Sequence, residues 1–527
     1  MRSSDRRTAS DVLCEAFGPN PLLDALGSKL APHELAERLC YRPLDKLAWS
    51  EVPLEHREDF LPLIESHFVP TPTALDVARR IQQLLRSGYI ERHPGVASCR
   101  KRMHEIAALP GALMCDLPWF ATNAKGMAIR GITGVGKSAT WTRTLSLFPQ
   151  VVDHGPNENA RWLRAKQLVY VVAQMSADTS RAGFLANILK SVDRALNTNY
   201  HDNYIVRNRP SIEKLMVIVA AVLSDHYCGV LIIEEIQERN FAASPERKNI
   251  LLFFLRLLNF GIPVVLVGNP LGFSDFDEFA QDIRRLYKAG AIDLWPASNI
   301  DDIEWNEFFI PGKIQFNVVN AGFELTPELK SVFFQCSAGV HGYFEDLWRI
   351  TQAHMIRRKE RKVTAQRVLM AYQSDDMKEQ RPVIRALYRR DLQAMSNFKD
   401  IPTEHFAAHW SLTPTNNIEK VHAGTPAVDR LPSSAPASAH LTVPRFVKAE
   451  QKFQRQKKNQ KIEEERVRRL SELLDPQDLR SSQARELLQQ EAEALHRALH
   501  SPTSSSRPDK HRTAKSVRKT RAKSDSD

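Results

Sequence analysis

"RGITGVGKSAT", Arg130 to Thr140, has the spacing of a phosphate-binding loop, with Gly131, Gly136, Lys137 and Ser138 in the required places. Glycines are needed there because backbone N–H groups must turn inward and come close to phosphate oxygens, which a Cβ would obstruct. Lys137 is placed to reach the β- and γ-phosphates, and Ser138 to offer a hydroxyl to Mg²⁺. The expected nucleotide-contacting set is Gly131, Thr133, Gly134, Val135, Gly136, Lys137, Ser138 and Ala139. Strand-like "GMAIR" precedes the loop and helix-like "SATWTRTLSLF" follows it. The loop by itself does not separate a motor, a switch, a kinase and an assembly factor.

Working outward, short apolar runs alternate with helical segments: "GMAIRGI" (126–132), "LVYVVAQ" (168–174), "GVLIIEE" (229–235), "IPVVLVGN" (262–269) and "AIDLW" (291–295). Runs this apolar fit strands buried on both faces of a parallel sheet, with crossover helices between them. An α/β core with a five-stranded parallel sheet over residues 106–298 follows. The third run ends in two carboxylates. In P-loop NTPases the first supports Mg²⁺ and the second polarises the attacking water. Glu234, with Ser138, is the expected metal residue, and Glu235 the expected water activator. Glu234 stands where Asp is usual, and its extra methylene predicts a shifted metal geometry. Asn269, at the tip of the next run, is placed to hold the same water or sense the γ-phosphate. "FDEFAQDIRRLY" then offers Arg284 and Arg285, which would stabilise transition-state charge in a neighbouring subunit's site. The plain alternatives are two surface acids and a solvated arginine pair.

A chain of 527 residues has room for two or three domains. With 43% hydrophobic and 26% charged residues it has the make-up of a globular protein. The net charge of +11 and pI near 9.3 point to a polyanionic partner, although basic residues near the end hold much of the excess. Cys14, Cys40, Cys99, Cys115, Cys228 and Cys336 form no closely spaced pair, which argues against zinc and disulfide frameworks. "LMVIVAAVL" (Leu215–Leu223) is too short to span a bilayer, and the N-terminus lacks a signal-peptide core. A cytoplasmic, reducing setting without a membrane is expected.

Residues 1–105 read as an N-terminal helical extension. Within it "PTALDVARRIQQLLRSGYI" (72–90) carries Leu75, Val77, Ile81, Leu84 and Leu85 at helical spacing, as core or as a partner-facing stripe. Residues 299–383 read as a small helical lid: two helices broken at Ser337–Gly342, and a third after a Thr364 cap. Residues 384–527 read as a C-terminal extension with a Pro/Ser/Ala-rich linker (425–444), a charged helix (446–474) and a basic, disordered end (501–527).

Loop, Glu–Glu box, polar strand end, arginine pair and helical lid together resemble an AAA+ ATPase. More narrowly they are similar to the TnsC-type (TniB-like) regulators of heteromeric bacterial transposons. That similarity extends to "GPNPLLDAL" (18–26), "LLRSGYIERHP" (84–94), "LFPQVV" (147–152), "DRALNTNY" (193–200) and "LIIEEIQ", and spans roughly residues 18 to 350. The lid stretch "AGVHGYFEDL" departs from the pattern, with His341 and Gly342 where a second sensing arginine is usual. The resemblance implies an ATP- and Mg²⁺-dependent regulator that oligomerises on double-stranded DNA as a ring or filament, with a heptamer as one candidate size. It also implies a target-selection partner of the TniQ/TnsD type and transposase subunits. Arg181 in "MSADTSRAG" and Thr198 in "ALNTNY" are the candidate DNA-facing residues, and the basic end (Arg507–Lys523) is a second one. The segment 446–474 would serve equally as a handle for the transposase.

Alternatives stand beside this reading. A helicase loader or replication initiator would share the ATPase core, but an initiator should carry a base-reading helix-turn-helix after the lid, where this chain has linker and charged helix. A nucleotide kinase would need the loop but neither Glu235 nor Asn269. A non-transposon P-loop scaffold that binds ATP without turning it over is kept open by Glu234.

Overall fold

A computed structural model describes residues 9–109, 122–177, 179–242, 244–277, 284–319 and 323–412. These belong to one compact unit. Cys115, the linker at 425–444, the charged segment 446–474 and the basic end lie outside the described residues.

At the centre is a parallel sheet of five strands: β1 (Gly126–Gly131), β4 (Tyr170–Gln174), β5 (Val230–Ile236), β6 (Val264–Gly268) and β7 (Ala291–Leu294), in the order β4-β5-β6-β1-β7. All five apolar runs became its strands. The second run divides at Val169, because Leu168 ends an antiparallel hairpin instead. That hairpin, β2 (Val151–His154) with β3 (Ala165–Leu168), was not anticipated. Its strands are only half apolar, so no periodic signal marks them.

Side-chain alternation along each strand divides the interior in two. Met127, Ile129, Ile232, Val265 and Val267 face one side, with Trp141, Leu145 and the N-terminal helix Pro72–Glu91. Ala128, Val171, Leu231, Ile233 and Leu266 face the other, against helices Arg181–Leu196, Ile212–Asp225 and Arg247–Asn259. Both faces are covered, which is why the strands are apolar throughout rather than alternating. Helix Ile212–Asp225 contains the most apolar run of the chain, and every residue from Leu215 to Ser224 is buried. Each large side chain there stabilises the fold by about 1.5–3 kcal/mol.

Helix Pro72–Glu91 starts as its sequence predicts. Thr71 Oγ1 accepts from the Ala74 amide at 3.2 Å and Pro72 occupies the first turn. Val77, Ile81, Leu84 and Leu85 are fully buried, so the stripe is core. Tyr89 continues it, and its hydroxyl donates to the Tyr227 carbonyl at 3.0 Å.

The segment expected to be a helical lid contains the helices Pro327–Ser337, His341–Arg357 and Ala365–Gln373, with Ala338 and Gly339 at positive φ making the break. Thr364 Oγ1 caps the third helix, accepting from Arg367 N at 3.4 Å. Regular structure continues past residue 383 through Arg381–Arg389 and Leu392–Met395 to Thr403–His409. Among the described residues no helix is long and apolar enough to cross a membrane.

Candidate functional site

Strand order places β1 between β6 and β7, so the loop after β1 opens at the carboxyl edge of the sheet, where α/β folds bind ligands. There a cavity of about 860 Å³ is lined by residues 133–140, Glu234, Glu235 and Asn269. Gly134 and Gly136 have φ of +86° and +90°, a conformation other residues adopt only under strain. Helix Lys137–Leu145 begins at the loop, with no side chain capping its N-terminus, the kind of helix start that suits an anion. Lys137 Nζ donates to the Ile132 carbonyl at 2.8 Å. Burial lowers its pKa to about 8, against the opposing pull of Glu235, Glu234 and Asp400.

Glu234 Oε1 accepts from Ser138 Oγ at 2.9 Å and from Trp141 Nε1 at 2.7 Å. The longer side chain therefore reaches the serine hydroxyl, and the indole fixes where it ends. Sequence reasoning missed Trp141, although its spacing from Ser138 puts both on one helix face.

Glu235 is exposed and has φ of +61°, rare for a side chain of its kind and worth about 1–2 kcal/mol of strain. The cause is a bulge: Ile233 pairs with Leu266 but Ile236 with Gly268, leaving one extra residue in β5. The bulge turns the carboxylate to the cavity rim, where Gln237 Nε2 donates to it and Asn240 Nδ2 holds its own carbonyl at 2.6 Å. Gly268 permits the bulge, since a Cβ there would lie 1.9 Å from the Ile236 carbonyl oxygen.

Asn269 is buried at the end of β6. Its Oδ1 accepts from Leu271 N at 3.0 Å and its Nδ2 donates to the Asp400 carbonyl at 2.6 Å. The opposite wall holds Phe68, Val69, Thr73, Phe309 and the ion-paired Lys313 and Glu345. None of these carried a sequence signal. His341 and Gly342 lie against the loop, where Gly342 N donates to the Gly134 carbonyl at 2.8 Å. His341 stacks on Phe309 at 3.8 Å, and burial lowers its pKa to about 3, so it stays neutral.

The remaining candidates lie elsewhere. Arg284 is exposed and Arg285 half-buried, and neither lines the cavity. The Arg285 guanidinium donates to Asn259 Oδ1 at the end of a neighbouring helix. Arg181 pairs with Glu246 at 2.5 Å, and Thr198 Oγ1 donates to Asp193 Oδ1 at 2.7 Å. The 16-residue helix Arg181–Leu196 separates them by about 24 Å, so one subunit cannot apply both to a single phosphate.

Residues 121–276 match the family model of an AAA domain. The α/β core is an AAA-type P-loop ATPase domain. No curated protein matches the chain. Solved structures similar to it include the Aeropyrum pernix ORC1 protein in complex with DNA, at 15% identity and a TM-score of 0.33, covering 59% of this chain and 76% of that one. Cdc6p from Pyrobaculum aerophilum is 13% identical with a TM-score of 0.31, over 52% of this chain and 65% of that one. Drosophila ORC bound to DNA is 14% identical with a TM-score of 0.30, over 63% and 80%. The cavity volume lies within the usual 300–1,000 Å³ of small-molecule sites. The positive-φ glycines, buried lysine and serine–carboxylate pair fit a nucleoside triphosphate with Mg²⁺.

Proposed function

We propose that the protein is an ATP-dependent regulator of DNA transposition of the TnsC type, which assembles on double-stranded DNA and uses hydrolysis to disassemble. The observation that carries this reading is the gathering of Lys137, Ser138, Glu234, Glu235 and Asn269 on one cavity rim. Lys137 and the amides of 133–139 would hold the phosphates, and Ser138 with Glu234 the Mg²⁺. The bound metal neutralises phosphate charge. Glu235 takes the proton of the attacking water on its carboxylate, which Gln237 orients. Asn269 aligns that water. Arg284 and Arg285 belong in this reading to the surface offered to a neighbouring subunit, which Arg284, being exposed, can reach more readily.

The narrower assignment draws support from two segments whose chemistry the structure explains. In "LIIEEIQ" the glutamine holds the second glutamate. In "DRALNTNY" the Asp193 carboxylate accepts from Thr198 Oγ1, Tyr200 N and His201 N at 2.7–2.8 Å, which fixes the corner after the helix. Arg181 and Thr198 flank that helix as proposed DNA-facing residues, each on its own phosphate. A TniQ/TnsD-type selector and the transposase are the proposed partners.

Gel filtration and electron microscopy of the full chain test this. With ATP, Mg²⁺ and duplex DNA, multi-subunit rings or filaments are expected, and fewer with ADP. A monomer indifferent to DNA under all conditions overturns the assignment.

A further inference from the structure

The cationic side chains that line the cavity are Lys137, Arg239, Lys313 and Lys399. Three are committed. Lys137 belongs to the loop. Lys313 is buried in an ion pair with Glu345 and donates to the His67 carbonyl. Arg239 Nε donates at 2.7 Å to Gln237 Oε1, the far side of the amide that orients Glu235. Lys399 is exposed and forms no hydrogen bond or ion pair among the described residues. It comes from beyond the lid helices, on the turn Ser396–Ile401, which the sequence left without a role.

That turn is fixed rather than loose. Before it, Arg390 Nη2 donates to the Ser298 carbonyl at 2.6 Å. After it, His409 stacks on Trp295 at 4.3 Å and Phe406 packs edge-on to the same indole at 5.1 Å. Both anchors lie just past β7, so the turn is strapped to the sheet edge beside the phosphate loop. At its tip the Asp400 carbonyl takes a hydrogen bond from Asn269 Nδ2, and the Asp400 carboxylate acts electrostatically on Lys137. A carboxamide nitrogen has two N–H donors. With one given to Asp400 and Oδ1 occupied by Leu271 N, the second has a single direction left to it.

We propose that Lys399 is a nucleotide-binding residue that contacts the terminal phosphate of a bound nucleoside triphosphate, and that the Asp400 carbonyl of the same turn positions Asn269. The inference rests on the ATP reading above. It supplies from beyond the lid the cation that the lid itself, with His341 and Gly342 at the loop, does not offer. An ammonium on a flexible stem suits this task, because it meets a phosphate as a point charge without fixed geometry.

The test is a binding titration of the full chain with Mg²⁺ and either a non-hydrolysable ATP analogue or ADP. Lys399→Ala should weaken the analogue about tenfold and leave ADP within about twofold, as loss of one charge-assisted contact to the terminal phosphate requires. Lys399→Arg should restore most of the difference. Equal affinities in variant and wild type, or equal losses for both ligands, overturn the role of Lys399. Wild-type protein that binds neither ligand overturns the ATP reading itself, a distinct result. For the turn, amide hydrogen exchange of residues 396–401 should slow more with the analogue than with ADP, and identical exchange overturns the positioning of Asn269.

Discussion

The phosphate end of the cavity takes its residues from short continuous stretches, 133–140 and 234–235, together with Asn269. The facing wall is gathered from residues 65–74, 304–313, 341–345 and 399–400. On the first side, backbone geometry does most of the positioning: two glycines at positive φ, a bulge and a helix start. On the second, side-chain packing across long sequence separations does it, as in the stack of His341 on Phe309 and the pair of Lys313 with Glu345. Backbone shape set by the local chain, as in the glycine loop and the helix start, leaves a pattern in the sequence, whereas the bulge, set against another strand, does not. Nor does a wall assembled by tertiary contact.

The contrast can be broken by experiment, beginning with the largest effect. If the strained carboxylate at the β5 bulge is the water activator, Glu235→Gln should lower the ATPase rate by about 10²–10⁴-fold and leave ATP binding intact. A fall in binding instead would mean that the residue holds the nucleotide rather than the water. Lys137→Ala should weaken ATP by about 100-fold, measured calorimetrically, because a charge-assisted contact is removed.

A third effect uses pH. With a Lys137 pKa of about 8 in the free protein, its ammonium is present below that pH and lost above it. ATP affinity should be level below about pH 8 and fall by up to about tenfold per pH unit above it, with proton uptake on binding. The sign for folding is opposite. The unfolded chain, at its ordinary 10.5, holds the proton that the folded one has released, so this residue makes stability rise between about pH 8 and 10.5. The smallest effect concerns Trp141. Trp141→Phe removes the second donor to Glu234 and should raise the Mg²⁺ requirement of ATP binding about fivefold, the worth of one hydrogen bond.

The same contrast explains how much was legible. The five sheet strands, the loop, the helices of 327–373 with the Thr364 cap, and the acid pair could all be read, because each depends on local periodicity or spacing. The β2–β3 hairpin could not, since its strands carry no apolar run. Nor could the left-handed backbone of Glu235, which arises from a register slip against a different strand. Asn269 was legible as a polar strand end, but its bond to Asp400 joins residues 131 apart. The pair Arg284–Arg285 illustrates the reverse: adjacent in sequence, they differ in exposure, and Arg285 turns to Asn259.

At one point in their contact, beside the side chains of Val340 and His341, the segment 340–342 and the phosphate-binding loop meet as backbone on backbone. The Gly342 amide bonds to the Gly134 carbonyl, and a Cβ on Gly342 would come within 3.1 Å of the Gly134 Cα. At that point no side chain separates the two backbones, so there is no flexible group to absorb a displacement. Any shift of the helix start at Gly342 would therefore either carry Gly134 with it or break the 2.8 Å hydrogen bond.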